Sequence, residues 1–127
     1  MQTRLIAAAK HAAENAYAPY SKIKVGAAIL CANGTIFTGC NIENSSYGAS
    51  ICAERSAAAK AVSEGRRDFT AIAVVSNLPG FTYPCGICRQ FLSEFNPQMR
   101  VILQDQTGQV TEKGLEEIFA NSFLLNK

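Results

Sequence analysis

Apolar residues recur at helical spacing from the start of the chain. Leu5, Ile6, Ala9, Ala12, Ala13 and Ala16 share one face and predict a helix over residues 3–16. Pro19, within Tyr17-Ala18-Pro19-Tyr20-Ser21, ends it. Val25, Ala27, Ile29 and Cys31 then alternate and predict a strand over 24–31. Asn33-Gly34 signals a hairpin, because both residues tolerate positive φ. Residues 35–41, with Ile36 and Phe37, return as the second strand, and the small polar residues of 42–51 read as a loop. Residues 52–64 predict a second helix, stopped by Gly65. The continuous apolar run from Ala71 to Val75 predicts a strand buried on both faces. Leu78-Pro79-Gly80 is a turn, residues 85–95 a third helix, and 101–103 another buried strand. Thr107-Gly108 turns the chain into a weak edge strand at 109–111, and 115–120 is a last short helix.

The order is α-β-β-α-β-α-β-β-α. It predicts an α/β fold: a three-layer α/β/α sandwich around a five-stranded mixed sheet, parallel in its later part. A chain of 127 residues fits a single domain over 1–127. With 48% hydrophobic and 17% charged residues it can bury a core and is not disordered. A net charge of +2 without Lys/Arg runs argues against a nucleic-acid partner. Arg66-Arg67 is followed at once by Asp68 and reads as a solvated loop. The apolar run at Leu5–Ala9 is too short for a leader's core, and no stretch is long enough to span a membrane. The expectation is a soluble, cytoplasmic chain with no membrane partner.

Five cysteines, an odd number, argue against a disulfide framework. Pro84-Cys85-Gly86-Ile87-Cys88 alone could hold zinc or be a redox dithiol. Cys52 shifts the balance to metal. It opens one predicted helix and Cys85 opens another, and helix N-termini favour thiolates. Three ligands and an open fourth position are the arrangement of a catalytic zinc, and soft thiolates select that ion, one per chain. Glu54, two residues from a ligand, is the candidate proton carrier. Residues i and i+2 diverge on a helix, so the first turn must bring both to one cavity. Cys31 and Cys40 read as small buried hydrophobes in strands. His11, the single histidine, reads as a surface residue.

Cys52-Ala53-Glu54 followed by Pro84-Cys85-Gly86-Ile87-Cys88 resembles the zinc deaminase signature, H-x-E…P-C-x-x-C, in its three-cysteine form. Tyr17-Ala18-Pro19-Tyr20-Ser21, Gly39-Cys40-Asn41-Ile42-Glu43-Asn44, Cys52-Ala53-Glu54-Arg55 and Cys85-Gly86-Ile87-Cys88-Arg89-Gln90 extend the likeness to the short-chain, homotetrameric cytidine deaminases. The resemblance covers most of residues 5–120. It implies hydrolytic deamination of cytidine and 2′-deoxycytidine to uridine and 2′-deoxyuridine, with release of ammonia, in pyrimidine salvage. Cys52, Cys85 and Cys88 would bind zinc. Glu54 would take a proton from the attacking water and pass protons to N3 and the leaving amine. The backbone at Ala53 and Cys85 would hold the base, and Asn41 and Glu43 the ribose hydroxyls. In an extended chain those two side chains point the same way, with Ile42 expected to face the core. Arg55 would offset the charge of three thiolates on the metal. Tyr47 and Phe123 match aromatics that complete a neighbouring subunit's site in a homotetramer. Ile23 departs from the family, which often has Phe beside the base; the chain also ends four residues after Phe123. Competing readings are a deaminase of another aminopyrimidine such as blasticidin S, a polynucleotide deaminase, and a non-catalytic zinc-binding domain.

Overall fold

The computed structural model describes residues 1–125. Helix α1 (Gln2–Ala13) is followed by strands β1 (Val25–Cys31) and β2 (Ile36–Cys40). Helix α2 (Ala53–Ser63), strand β3 (Phe69–Ser76), helix α3 (Gly86–Ser93) and strand β4 (Arg100–Gln104) come next. Strand β5 (Val110–Gly114) and helix α4 (Leu115–Ile118) complete the order. The five strands form the one mixed sheet that the alternation of elements predicts, and their order is β2-β1-β3-β4-β5.

Among the described strands only β3 and β4 run parallel, joined by the α3 crossover; β5 turns back antiparallel. The expected parallel later part is therefore a single pair. The 105–109 connection is too short for a crossover and closes tightly, with Gly108 at φ +90°. At the first hairpin the loop spans residues 32–35, and of Asn33-Gly34 only the glycine takes positive φ, +91°. Helix α1 stops three residues earlier than expected. The N–H groups of Asn15 and Ala16 bond to carbonyls three residues back, at 3.0 and 3.1 Å, which tightens and ends the helix.

Each face of the sheet has its own core. Leu5, Ile6 and Ala9 of α1 pack on Ala28, Ala73 and Ile102. On the other face α2 contributes Ala53, Ala57, Ala58 and Ala61, and α3 contributes Leu92, against Ile29, Ile72, Val74 and Leu103. The small face of α2 lets it approach closely. A Cβ on Gly39 of β2 would lie 2.4 Å from the Ala57 nitrogen and 2.7 Å from the Ala53 carbonyl oxygen. Gly26 does the same under α1, where a Cβ would lie 1.9 Å from the Ala9 carbonyl oxygen. Backbone thus lies on backbone at α2, one turn from the residues that open it.

Candidate active site

Cys52 and Cys85 are the N-cap residues of α2 and α3, with extended backbone. Their carbonyls accept the first helical hydrogen bonds, from Ser56 N–H at 3.0 Å and Arg89 N–H at 2.9 Å. Neither side chain caps its own helix, so both sulfurs are free for other use. Cys85 Sγ lies 3.6 Å from Cys52 Sγ and 3.5 Å from Cys88 Sγ. All three sulfurs fall within 4.8 Å of one another, and among the described residues no fourth ligand group joins them. A tetrahedral zinc with bonds of about 2.3 Å sets its sulfurs about 3.8 Å apart. The trio therefore fits zinc, with one coordination position left over.

Arg55 stands one turn along α2 and points its Nη2 at Cys52 Sγ, 3.8 Å away. The Cys52 thiol is pushed down to about 5, first by the hydrogen bond from Cys88, with Arg55 and Cys85 adding and burial opposing. The same pairing with Cys52, and then burial, pushes the Cys88 thiol up. Between Cys52 and Cys88, negative charge is therefore favoured on Cys52, at the N-terminus of α2 and beside the guanidinium.

Glu54 is 4% exposed, yet it borders the same cavity as Cys52 and Cys85. Because Cys52 is the extended cap and Glu54 lies within the first turn, residues i and i+2 need not diverge as they would mid-helix. Burial pushes the Glu54 carboxyl up to about 7, with the Cys52 charge adding and its own backbone N–H and Arg55 opposing. A carboxyl poised near neutrality both accepts and returns a proton.

The cavity measures about 410 Å³, within the range of small-molecule sites. Asn41, Glu43, Ile23 and Ala53 border it together with Cys52, Glu54 and Cys85. Asn41 Oδ1 accepts from Val25 N–H at 2.8 Å and its Nδ2 donates to the Ile23 carbonyl at 2.7 Å. One amide hydrogen and one lone pair remain. Glu43 Oε1 accepts from Tyr20 N–H at 3.0 Å and Ser21 N–H at 3.2 Å, while Oε2 accepts from the Ser21 hydroxyl. That hydroxyl, then the two N–H groups and Lys22, hold the Glu43 carboxyl below its ordinary range.

Ile42 does not face the core. It is 41% exposed and lines the cavity between Asn41 and Glu43. The chain leaves the sheet after Cys40, and residue 42 is held only by isolated bridges to Tyr17 and Ile51, so no core face exists there. Tyr47 lies in a short 3-10 turn, 83% exposed, and Phe123 is 72% exposed with its backbone bonded to the Gln90 side chain. Neither reaches the cavity of its own chain. Ile51, Thr82 and Tyr83 do border it. Sequence reasoning missed them, although Thr82 and Tyr83 directly precede Pro84-Cys85 and Ile51 directly precedes Cys52.

Comparison with known proteins places this geometry. The family described as "Cytidine and deoxycytidylate deaminase zinc-binding region" matches residues 1–104. The chain belongs to the cytidine and deoxycytidylate deaminase family. The cytidine deaminase of Sporosarcina psychrophila is 50% identical over 94% of this chain and 89% of that protein. That of Halalkalibacterium halodurans is 47% identical over 94% and 91%. The crystal structure of cytidine deaminase from Burkholderia pseudomallei superposes with a TM-score of 0.93 at 44% identity, covering 97% of this chain and 99% of that one. The family's zinc-binding region spans all three clustered thiols, so zinc is the cofactor and the cytidine deaminase fold is the expected α/β sandwich.

Proposed function

We propose that the chain deaminates cytidine and 2′-deoxycytidine hydrolytically to uridine and 2′-deoxyuridine, releasing ammonia, as a step of pyrimidine salvage. The observation that carries this is a buried carboxyl, Glu54, sharing a nucleoside-sized cavity with two of three clustered thiols. Cys52, Cys85 and Cys88 would hold one zinc. When bound, zinc supplies Lewis acidity that activates water at neutral pH. Glu54 takes the proton from the attacking water and delivers protons to N3 and to the leaving amine of the base. The remaining hydrogen-bonding capacity of Asn41 and Glu43 meets the ribose hydroxyls. The Ala53 and Cys85 backbone and the Ile23 side chain fix the base. Arg55 offsets the excess charge of the thiolates.

The same reading makes the chain a single catalytic domain that assembles as a cytoplasmic homotetramer. Ile87 and Phe91, one turn apart on α3, and Phe123, tied to α3 through Gln90, leave apolar surface open, and Tyr47 stands exposed near Glu43 and Ser50. A neighbouring copy would cover them. Loss of ultraviolet absorbance from cytidine on adding the purified protein, with Glu54→Ala beside it, tests the activity. Turnover by the wild type alone supports the reading. Zinc-loaded wild type that leaves cytidine and deoxycytidine untouched overturns it.

A further inference from the structure

Strands β2 and β3 flank β1, and each ends at the residue before an asparagine, Asn41 or Asn77. Both asparagines still join the backbone ladder. Asn41 N–H bonds to the Val25 carbonyl at 3.2 Å, and Asn77 N–H to the Lys24 carbonyl at 3.1 Å. Beyond them the neighbouring backbones leave the sheet, but residues 22–25 do not lose their partners. The Asn41 amide takes the Ile23 carbonyl and Val25 N–H, as described. On the opposite edge, Asn77 Oδ1 accepts from Lys24 N–H at 3.0 Å and Asn77 Nδ2 donates to the Lys22 carbonyl at 3.0 Å. A carboxamide offers the same donor and acceptor as a peptide group. Each side chain therefore acts as one more residue of a flanking strand.

The held segment carries strain. Lys22 has φ +64°, a left-handed conformation unfavourable for a residue with a Cβ. Its N–H bonds to the Ala18 carbonyl at 3.1 Å, its Nζ to the Pro19 carbonyl at 2.8 Å, and its own carbonyl is the one Asn77 takes. Such conformations persist only where surroundings over-determine them. Ile23, between the two lysines that Asn77 grips, borders the nucleoside cavity. Asn77 itself borders a different hollow, together with Lys24.

We infer that Asn77 is a positioning residue: it fixes the Lys22–Lys24 backbone so that Ile23 presents a rigid wall to the substrate base. This rests on the deaminase reading for its kinetic readout. Asn77→Ala is expected to raise KM for cytidine about tenfold with kcat within about twofold, the signature of lost uniform binding. Zinc stays at one per chain. Because Asn77 works through Ile23, the effect shrinks to less than about twofold in an Ile23→Ala background. Multiplicative effects in that cycle, a loss confined to kcat, or loss of zinc would each overturn the inference. Amide hydrogen exchange supplies a readout independent of turnover. Exchange at Lys24 is expected to speed up about tenfold in Asn77→Ala while the β3 core stays protected; unchanged exchange overturns the inference. A wild type that binds zinc but does not deaminate cytidine would sink the functional reading alone, and exchange at Lys24 would still decide the role of Asn77.

Discussion

The Arg55 guanidinium lies 3.8 Å from Cys52 Sγ and its Nε, though buried, has no hydrogen-bond partner among the described residues. The side chain is held by soft contacts to sulfur, Cys52 first and then Cys88. Three thiolates around a divalent ion leave a net charge of −1, which weakens the ion as a Lewis acid. Arg55→Gln keeps much of the bulk and removes the charge. It is expected to lower kcat or zinc affinity by about 10–100-fold, the usual effect of losing an outer-shell partner. Turnover measured beside zinc content per chain checks this.

The metal requirement separates the five cysteines. Cys52→Ala, Cys85→Ala and Cys88→Ala should each strip zinc and activity, since each removes one of the clustered sulfurs. Cys31→Ala and Cys40→Ala, in β1 and β2 away from that cluster, should retain one zinc per chain. Metal analysis of the five purified variants decides it.

Gly39→Ala sets a Cβ 2.4 Å from the Ala57 nitrogen, backbone that cannot swing aside. The expected cost is about 1–3 kcal/mol or more, as for other overpacked cores. Helix α2 can relieve the clash only by moving outward, which carries Cys52 and Glu54 with it. The denaturation midpoint should fall, and kcat should fall further than the folded fraction explains.

Leu92 of α3 is fully buried, one turn from Cys88. Leu92→Ala is expected to destabilise the fold by about 2–5 kcal/mol through lost burial and a cavity. Equilibrium unfolding in urea measures it.

Glu43 provides a pH test. Its carboxyl titrates below the ordinary value of 4.5, chiefly because the Ser21 hydroxyl donates to it. A lowered value means that the fold favours the carboxylate, so the contribution is present above 4.5 and is lost as pH falls through the depressed value. Ser21→Ala should move the Glu43 titration upward toward 4.5 and bring the acid-side rise in KM to higher pH. Carbon-detected NMR titration of the Glu43 carboxyl reads the first effect directly.

Much of this was legible in the chain itself, because its signals are local. The N-cap roles of Cys52 and Cys85 follow from helix periods that begin beside them, and the mixed sheet follows from hairpin and alternation. Other features depend on which strands become neighbours. Ile42 reads as a core residue by alternation, but the chain has left the sheet by then, and alternation describes only paired strands. Asn77 directly precedes the turn at Leu78-Pro79-Gly80 and carries no signal of its own, and nothing local shows that its amide meets Lys22 and Lys24, more than 50 residues earlier. Thr82 and Tyr83 sit beside a clear motif but have no chemistry that singles them out.

The two thiol-bearing helix starts stand 33 residues apart in the chain, with α2 itself, β3 and the turn after it lying between. An ion gripping both ties that length into a ring. In polymer terms it is a removable cross-link. A covalent link closing a loop of this size restricts the unfolded chain by about 4 kcal/mol. A metal does so reversibly, to the extent that unfolded cysteines do not hold it. The reagent of the chemistry is then also a clasp on the chain, and metal starvation would loosen the scaffold at the moment it stops the reaction.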